Sequence, residues 1–179
     1  MQPRIPRQAS GEQDGRRPDG IDLDDRFSAE LASAVSGARR RAARDGDPQI
    51  DTAHLLHSLL ECDAEARALL GDGPRTARVL GYLVQRSIGY GLRWQSAVED
   101  SGAVPVVTGV AGFSPPAAAA MEEACARAAR RGAVRAGGVD LLAALVADPQ
   151  ARAVEVLARA AVEPDAVLAR VESHFESTS

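Results

Sequence analysis

Apolar residues recur at helical spacing soon after the start of the chain. Between Ser28 and Gly46 they step by four, three and four positions, at Leu31, Val35, Ala38 and Ala42. This spacing places them on one face of a helix. Serine commonly begins a helix, and glycine commonly ends one in the left-handed conformation. The pattern predicts a helix from Ser28 to Gly46 with one buried face.

The same pattern returns 86 residues later, where FSAELASAVSGARRRAARDG from Phe27 becomes FSPPAAAAMEEACARAARRG from Phe113. Residues 27–60 placed on 113–146 without a gap share 13 identities in 34 positions. The informative identities lie at helix starts, helix stops and apolar faces. This distribution indicates an internal duplication.

Each copy predicts four helices. Second helices begin near Thr52 and Val139, and both carry leucines on their inner face. Third helices are expected to follow Asp63 and Asp148, and fourth helices to begin near Pro74 and Pro164. The predicted fold is therefore all-α, with about eight helices in two repeats of four related by a pseudo-twofold rotation.

Composition sets the domain boundaries. Residues 1–25 are rich in Pro, Gly, Gln, Arg and Asp and are expected to be a disordered tail. One domain is expected over 26–179, with repeat one at about 27–90 and repeat two at about 113–172. The segment EDSGAVPVVTGVAG lacks a helical period, which predicts a linker at about 95–112.

Charge and residue usage exclude several functions. All 21 basic residues are arginine, so the chain has no lysine for a Walker A loop or a Schiff base. The net charge of −4 argues against a general nucleic-acid binder. Cys62 and Cys125 lack metal-type spacing and are expected to be reduced core residues. No apolar run could span a membrane and no secretory signal is evident, so we expect a cytoplasmic protein. We also expect no metal and no cofactor.

The duplicated motifs resemble a known family. A Phe-Ser or Phe-Thr helix start followed by Ile-Gly-Thr-Glu-His-Leu-Leu, all duplicated, is similar to the Clp amino-terminal (Clp R) repeat domain of ClpA- and ClpC-type unfoldases. Here the second motif is IDTAHLL from Ile50 to Leu56, and AGGVDLL from Ala136 to Leu142. The resemblance covers about residues 27–172. Because no Walker loop is present, it implies a stand-alone domain that binds proteins and performs no catalysis.

The resemblance also implies candidate binding residues. In some ClpC-type domains each copy offers a pocket for phosphorylated arginine, where a hydroxyl residue after the Phe holds phosphate and a Glu holds the guanidinium. The hydroxyls are kept as Ser28 and Ser114, but the Glu positions are Ala53 and Val139. We therefore expect weak anion binding at the two helix starts, loss of phosphoarginine recognition, and a preference for hydrophobic peptide side chains beside Phe27 and Phe113.

Other readings stay open for several of these residues. Phe27 and Phe113 could contact a peptide or pack as hydrophobic staples against their own helices. Two arginine clusters could touch nucleic acid or could be solvated helix ends; they are Arg39, Arg40, Arg41 and Arg44, and Arg127, Arg130 and Arg131. His54 and His57 could bind a metal with Glu61, although a structural role is favoured.

Three functions remain as hypotheses. The leading one is a protein- or peptide-binding module of the Clp system, acting as adaptor or decoy. Its partners would be Clp unfoldase or protease components, their adaptors or substrate peptides. The alternative is a protein that binds a cyclic peptide antibiotic. The last is a regulator that touches nucleic acid through its arginines.

Overall fold

The computed structural model describes residues 23–88, 99 and 112–178, and within these residues every named element is a helix. The first repeat contains α2 (Ala29–Asp45), α3 (Thr52–Cys62), α4 (Ala64–Leu70) and α5 (Gly73–Ser87), preceded by a short α1 (Leu23–Arg26). The second repeat contains α6 (Pro115–Arg130), α7 (Gly138–Ala147), α8 (Arg152–Arg159) and α9 (Pro164–Thr178). The predicted all-α fold with four helices in each repeat is confirmed.

The first helix of each repeat begins and ends as the sequence predicts. Ser28 Oγ accepts a hydrogen bond from the Leu31 N–H at 3.2 Å, and Ser114 Oγ accepts one from the Ala117 N–H at 3.2 Å. These bonds satisfy backbone donors that a helix start leaves without a partner. Gly46 comes directly after α2 in the left-handed region with φ of 71°.

The core lies around α3 and α7. Their leucines are fully buried: Leu55, Leu56, Leu59, Leu60, Leu141, Leu142 and Leu145. Equivalent alanines of α2 and α6, Ala38 and Ala124, are also fully buried. Alanine on one helix and leucine on the next lets the helices pack closely in a protein with few aromatic residues. Truncating one such leucine to alanine typically costs about 2–5 kcal/mol.

The two repeats pack reciprocally. Helices α2, α3, α4 and α5 of the first repeat correspond, in order, to α6, α7, α8 and α9 of the second. The contact of α3 with α8 therefore corresponds to that of α7 with α4, and the contact of α2 with α7 corresponds to that of α6 with α3. Helix α5 contacts α8 as α9 contacts α4. Each contact across the repeats thus has a counterpart in which the repeats exchange roles, which is the pattern a pseudo-twofold rotation produces.

Three predicted boundaries differ from the structure. Helix α1 lies partly within the segment expected to be a disordered tail, whose residues 1–22 fall outside the described part. The third helix of repeat two begins at Arg152 rather than directly after Asp148, because Asp148 Oδ1 accepts the Gln150 N–H at 2.9 Å and holds a turn there. Helix α9 continues to Thr178, beyond the expected end near 172. Of the predicted linker, only residues 99 and 112 are described.

Candidate functional site

The two predicted binding sites each combine residues from both repeats. The Ser28 N–H donates to the Ala136 carbonyl at 2.8 Å, and the Ser114 N–H donates to the Ile50 carbonyl at 2.9 Å. The Phe-Ser segment of each repeat therefore lies beside the second-helix motif of the other repeat. The hydroxyl and the second-helix position that lie close together therefore come from different repeats. The cause is tertiary, because the repeats exchange these segments across the pseudo-twofold axis.

The four apolar candidate residues are buried. Phe27 is 2% exposed and Phe113 is 7% exposed, while Ala53 is fully buried and Val139 is 4% exposed. The guanidinium carbon of Arg39 lies 5.0 Å from the centre of the Phe113 ring. The core of the protein uses these surfaces, so contact between these residues and a peptide stays a prediction that requires the core to open.

The helix start at Ser114 holds a carboxylate of the chain itself. Glu99 is 4% exposed, and its Oε2 accepts the Ser114 hydroxyl at 2.6 Å and the Thr52 N–H at 2.9 Å. Its Oε1 accepts the Arg152 N–H at 2.8 Å and the Thr52 hydroxyl. The carboxylate thus joins the N-termini of α3 and α8, where backbone donors and the helix dipole favour an anion. An external phosphate would have to displace it.

The equivalent position in the other half also holds a carboxylate. Asp63 caps α4, and its Oδ1 accepts the Ala66 N–H at 2.9 Å. The other carboxylate oxygen of Asp63, Oδ2, lies against Gly138 at the start of α7. A Cβ added at Gly138 would overlap this oxygen and would lie 2.9 Å from a methyl carbon of Leu59. Glycine is therefore required at 138 for α7 to approach the capped end of α3.

Ser28 is likewise engaged within the protein. Its hydroxyl oxygen caps α2, and backbone hydrogen bonding together with the nearby Ser28 hydroxyl lowers the pKa of Glu30. The predicted anion position at Ser114 is therefore occupied by the buried Glu99, whereas the acidic residue nearest to Ser28 in sequence, Glu30, is exposed. External anion binding at Ser28 and Ser114 stays a prediction, and at Ser114 it now competes with Glu99.

A buried ionic network fixes the start of α3. Asp51 caps this helix, with its Oδ1 accepting the His54 N–H at 2.9 Å, while Arg86 and Arg152 contact its Oδ2, the latter at 2.8 Å. Burial opposes ionisation of Asp51, but the hydrogen bond to His54 and the charge of Arg86 outweigh it and hold the pKa of Asp51 well below its usual range. His54 Nδ1 in turn accepts the Asp51 N–H at 3.1 Å. His54 is thus part of a helix cap.

One group of described side chains has the spacing of a metal site. The ligand atoms of Asp45, Asp47 and His54 lie within 4.8 Å of one another, and His54 Nε2 is 3.0 Å from Asp47 Oδ2. Arg86 lies 3.2 Å from the same Asp47 oxygen. Because this guanidinium already supplies positive charge, a divalent ion would be repelled by it. We therefore interpret the group as part of the ionic network, and the expectation of no metal stays a prediction.

A groove runs between the first and second helices of each repeat. The groove between α2 and α3, hereafter the basic groove, has a volume of about 280 Å³ and is lined chiefly by Ser33, Gly37, Arg40, Arg41, Arg44 and Ser58. The groove between α6 and α7, hereafter the alanine groove, has a volume of about 190 Å³ and is lined chiefly by Ala119, Ala120, Glu123, Ala144 and Ala147. The sequence analysis missed both grooves, because they depend on how closely two helices approach.

The arginine cluster of the second repeat is neutralised by acidic residues. Arg130 lies 2.6 Å from Glu123, and Arg127 pairs with Glu172. Arg131 is the third arginine of the cluster, and its Nη2 lies 2.5 Å from Asp140 Oδ1. Its guanidinium carbon lies 3.8 Å from the centre of the Phe175 ring. These contacts support the interpretation of solvated and paired helix ends over a nucleic-acid surface.

The cysteines differ in their surroundings. Cys125 is buried, as expected, whereas Cys62 is exposed at the end of α3 and is not a core residue. The Cys62 Sγ donates to the Ser58 carbonyl at 2.7 Å, and burial raises the pKa of both thiols. A raised pKa leaves a thiol less nucleophilic at neutral pH.

None of the described helices is long and apolar enough to cross a membrane.

Comparison with known proteins gives a structural relationship. No protein-family model and no curated protein sequence matches the chain. The crystal structure of the N-terminal domain of the caseinolytic protease-associated chaperone ClpD from Arabidopsis thaliana matches with a TM-score of 0.62 at 18% identity, covering 88% of this chain and 99% of that chain. A chain from a structural study of a malarial protein secretion system matches with a TM-score of 0.61 at 14% identity, covering 86% and 97%. The chain therefore has the fold of a Clp N-terminal domain.

Proposed function

We propose that this chain is a non-catalytic protein- or peptide-binding module of the Clp chaperone–protease system. The observation that carries the proposal is the match to the N-terminal domain of ClpD, which covers 99% of that domain. Because the likeness extends over the whole domain, both repeats and their packing correspond to those of the ClpD domain, and the match is not limited to a single helical hairpin. By analogy, the chain would act where such domains act, in the cytoplasm or the equivalent compartment.

The described surface supports a binding role. Two open grooves lie on a core whose central leucines are fully buried, so the groove walls are held by rigid helices. Rigid walls reduce the ordering cost of binding. A partner could therefore be recognised without rearrangement of the fold.

An adaptor and a decoy would have opposite effects on a Clp machine. An adaptor binds cargo and machine together and raises the rate of degradation. A decoy occupies adaptors or substrates without delivering them and lowers that rate. Either role uses the binding surface alone and needs no ATP hydrolysis by this chain.

The test is affinity capture with the full chain, followed by a degradation assay. The proposal expects Clp unfoldase or protease subunits, or their adaptors, to be recovered and identified by mass spectrometry. Adding purified chain to a reconstituted Clp machine from the same source should then change the degradation rate of a model cargo. Recovery of nucleic acid instead, or no effect on degradation at any excess of the chain, would contradict the proposal.

One observation favours the alternative of a peptide antibiotic as ligand. The alanine groove is lined largely by methyl groups, which suit apolar side chains. Under this alternative, Ala119→Glu should abolish binding of a hydrophobic cyclic peptide, because it places a charge in the groove. Ala129→Glu makes the same change at an exposed position of α6 outside the groove lining and should leave binding unchanged. Equal binding by both variants would exclude the groove.

A further inference from the structure

The basic groove and the alanine groove occupy equivalent places in the two repeats. The 86-residue offset of the duplication pairs five lining positions of the two grooves: Ser33 with Ala119, Gly37 with Glu123, Ser58 with Ala144, Glu61 with Ala147, and Cys62 with Asp148. The first two helices of each repeat form its groove, and they contact each other in both repeats. The three arginines that line the basic groove have no counterpart in the lining of the alanine groove, so the two grooves differ in charge.

The arginines of the basic groove exceed its acidic groups. Arg41 donates to Ser58 Oγ at 3.2 Å and pairs with Glu61, which is the one carboxylate in the lining. Arg44 is largely exposed and lies 3.5 Å from its neighbour in sequence, Asp45. Arg40 makes no hydrogen bond or ion pair with any residue in the described part of the chain. The groove thus presents three guanidinium groups against one carboxylate.

The second repeat lacks this excess. Arg127 and Arg130 stand at the positions of Arg41 and Arg44, and each pairs with a glutamate. Position 126, the equivalent of Arg40, is alanine. The duplication therefore provides an internal comparison, in which the second repeat lacks a counterpart of Arg40, the groove arginine without an acidic partner among the described residues.

The electrostatic surroundings of α3 agree with a net positive groove. Burial is the main cause that lowers the pKa of His57 to about 4, and the charge of Arg41 acts in the same direction more strongly than Glu61 opposes it. Arg44 adds to the same effect. Asp45 acts in the opposite direction more strongly than Arg44, so Arg41 is the arginine whose charge reaches the helix behind the groove most strongly.

We propose that the basic groove binds an acidic peptide segment of a partner protein, with Arg40 and Arg44 pairing its carboxylates. This inference rests on the proposed function and names the class of peptide. Guanidinium groups bind carboxylates in bidentate geometry, and a phosphorylated side chain offers the same chemistry. A Cβ added at Gly37 would lie 3.1 Å from Ser58 Oγ, so glycine at this position lets α2 and α3 approach closely beneath the arginines. A volume of about 280 Å³ accommodates a few side chains.

The test measures binding of short fluorescently labelled peptides to the full chain by anisotropy. One peptide alternates glutamate with alanine, a second carries phosphoserine in place of glutamate, and the matched control carries glutamine. The glutamate peptide should bind, the glutamine peptide should not, and binding should weaken as salt rises to about 0.5 M. The phosphoserine arm decides which anion is preferred. A single-stranded oligonucleotide of equal charge that binds as well as the glutamate peptide would overturn the peptide assignment.

Three variants locate the site. The double substitution Arg40→Gln with Arg44→Gln should weaken glutamate-peptide binding about tenfold, since two charge-assisted contacts are lost. Glu61→Gln should strengthen it, because Arg41 is released from its intramolecular partner. Arg130→Gln removes an equivalent charge from the second repeat and should have no effect. Circular dichroism and thermal unfolding of each variant separate loss of binding from loss of fold.

The outcomes distinguish this inference from the proposed function. If acidic peptides do not bind, or if Arg130→Gln weakens binding as much as the double variant does, the basic groove is not the site. Capture of Clp subunits by the chain would then leave the proposed function standing. Peptide binding through the basic groove without any Clp partner would support the inference and contradict the proposed function.

Discussion

Replacing Glu99 by alanine should be one of the most destabilising single substitutions in this protein. The carboxylate is buried and accepts hydrogen bonds from two backbone N–H groups and two hydroxyls. The hydroxyls of Thr52 and Ser114 can rotate toward other acceptors when it is removed. The backbone N–H groups of Thr52 and Arg152 cannot, because their directions are fixed by α3 and α8.

The magnitude comes from those two fixed donors. A buried donor left without a partner costs about 1–3 kcal/mol. Two such donors, with the lost charge at two helix N-termini, give an expected loss of about 3–5 kcal/mol. Domains of this size have a free energy of unfolding of about 5–15 kcal/mol, so the variant would lose a large part of it. Glu99→Gln keeps the shape and one acceptor oxygen, so it should cost less, about 1–3 kcal/mol.

The assay is urea unfolding followed by circular dichroism, with Glu30→Ala as the matched control. Glu30 also lies in the first turn of a helix but is exposed, so its loss should leave the free energy of unfolding close to that of the wild type. A Glu99→Ala variant within about 0.5 kcal/mol of the wild type would refute the reasoning, because that value is typical of a surface change.

Small anions should partly rescue the Glu99→Ala variant. The vacated position retains two helix N-termini and the Ser114 hydroxyl, so formate, acetate or phosphate could bind there. Binding at ten times the dissociation constant would restore about 1.4 kcal/mol. The wild type, whose site is filled by Glu99, should gain less from the same anions. Equal stabilisation of both proteins would show that the anions act elsewhere.

Three further predictions concern stability. The pKa of His57 is lowered to about 4 in the folded protein, against about 6.5 in the unfolded chain. The unfolded state therefore binds more protons between these pH values, and the free energy of unfolding should rise with pH across that window. His57→Gln should flatten this pH dependence, and an unchanged slope would contradict the assignment to His57. Arg86→Gln should cost about 1.5–3 kcal/mol in urea unfolding, since it removes one buried charged partner of Asp51 and Asp47 while Arg152 and His54 remain. A loss under about 0.5 kcal/mol would contradict this prediction. Ala161 has a positive φ of 57°, a conformation that glycine adopts more readily than alanine. Ala161→Gly should therefore leave the free energy of unfolding unchanged or raise it by up to about 1 kcal/mol. A lower melting temperature would contradict this prediction.

The sequence predicted helix starts well because those signals are local. Ser28, Ser114 and Gly46 act through hydrogen bonds and backbone angles within one turn of the chain, and the structure places all three as predicted. The start of α8 was predicted wrongly at Asp148 for a related reason. Aspartate favours an N-cap and a tight turn almost equally, and the choice between them depends on the tertiary contacts of the neighbouring residues.

By itself, the sequence determined the all-α class, the duplication and the helix order, since periodicity and caps are properties of neighbouring residues. Only the tertiary structure decided which residues meet. It joined Ser28 to Ala136 and Ser114 to Ile50 across the repeats, because each half completes the other around the pseudo-twofold axis. It also brought Glu99 to two helix N-termini, which no local pattern indicates. Contacts between residues distant in sequence depend on the packing of buried faces, and two copies with similar patterns leave open which copy supplies each partner.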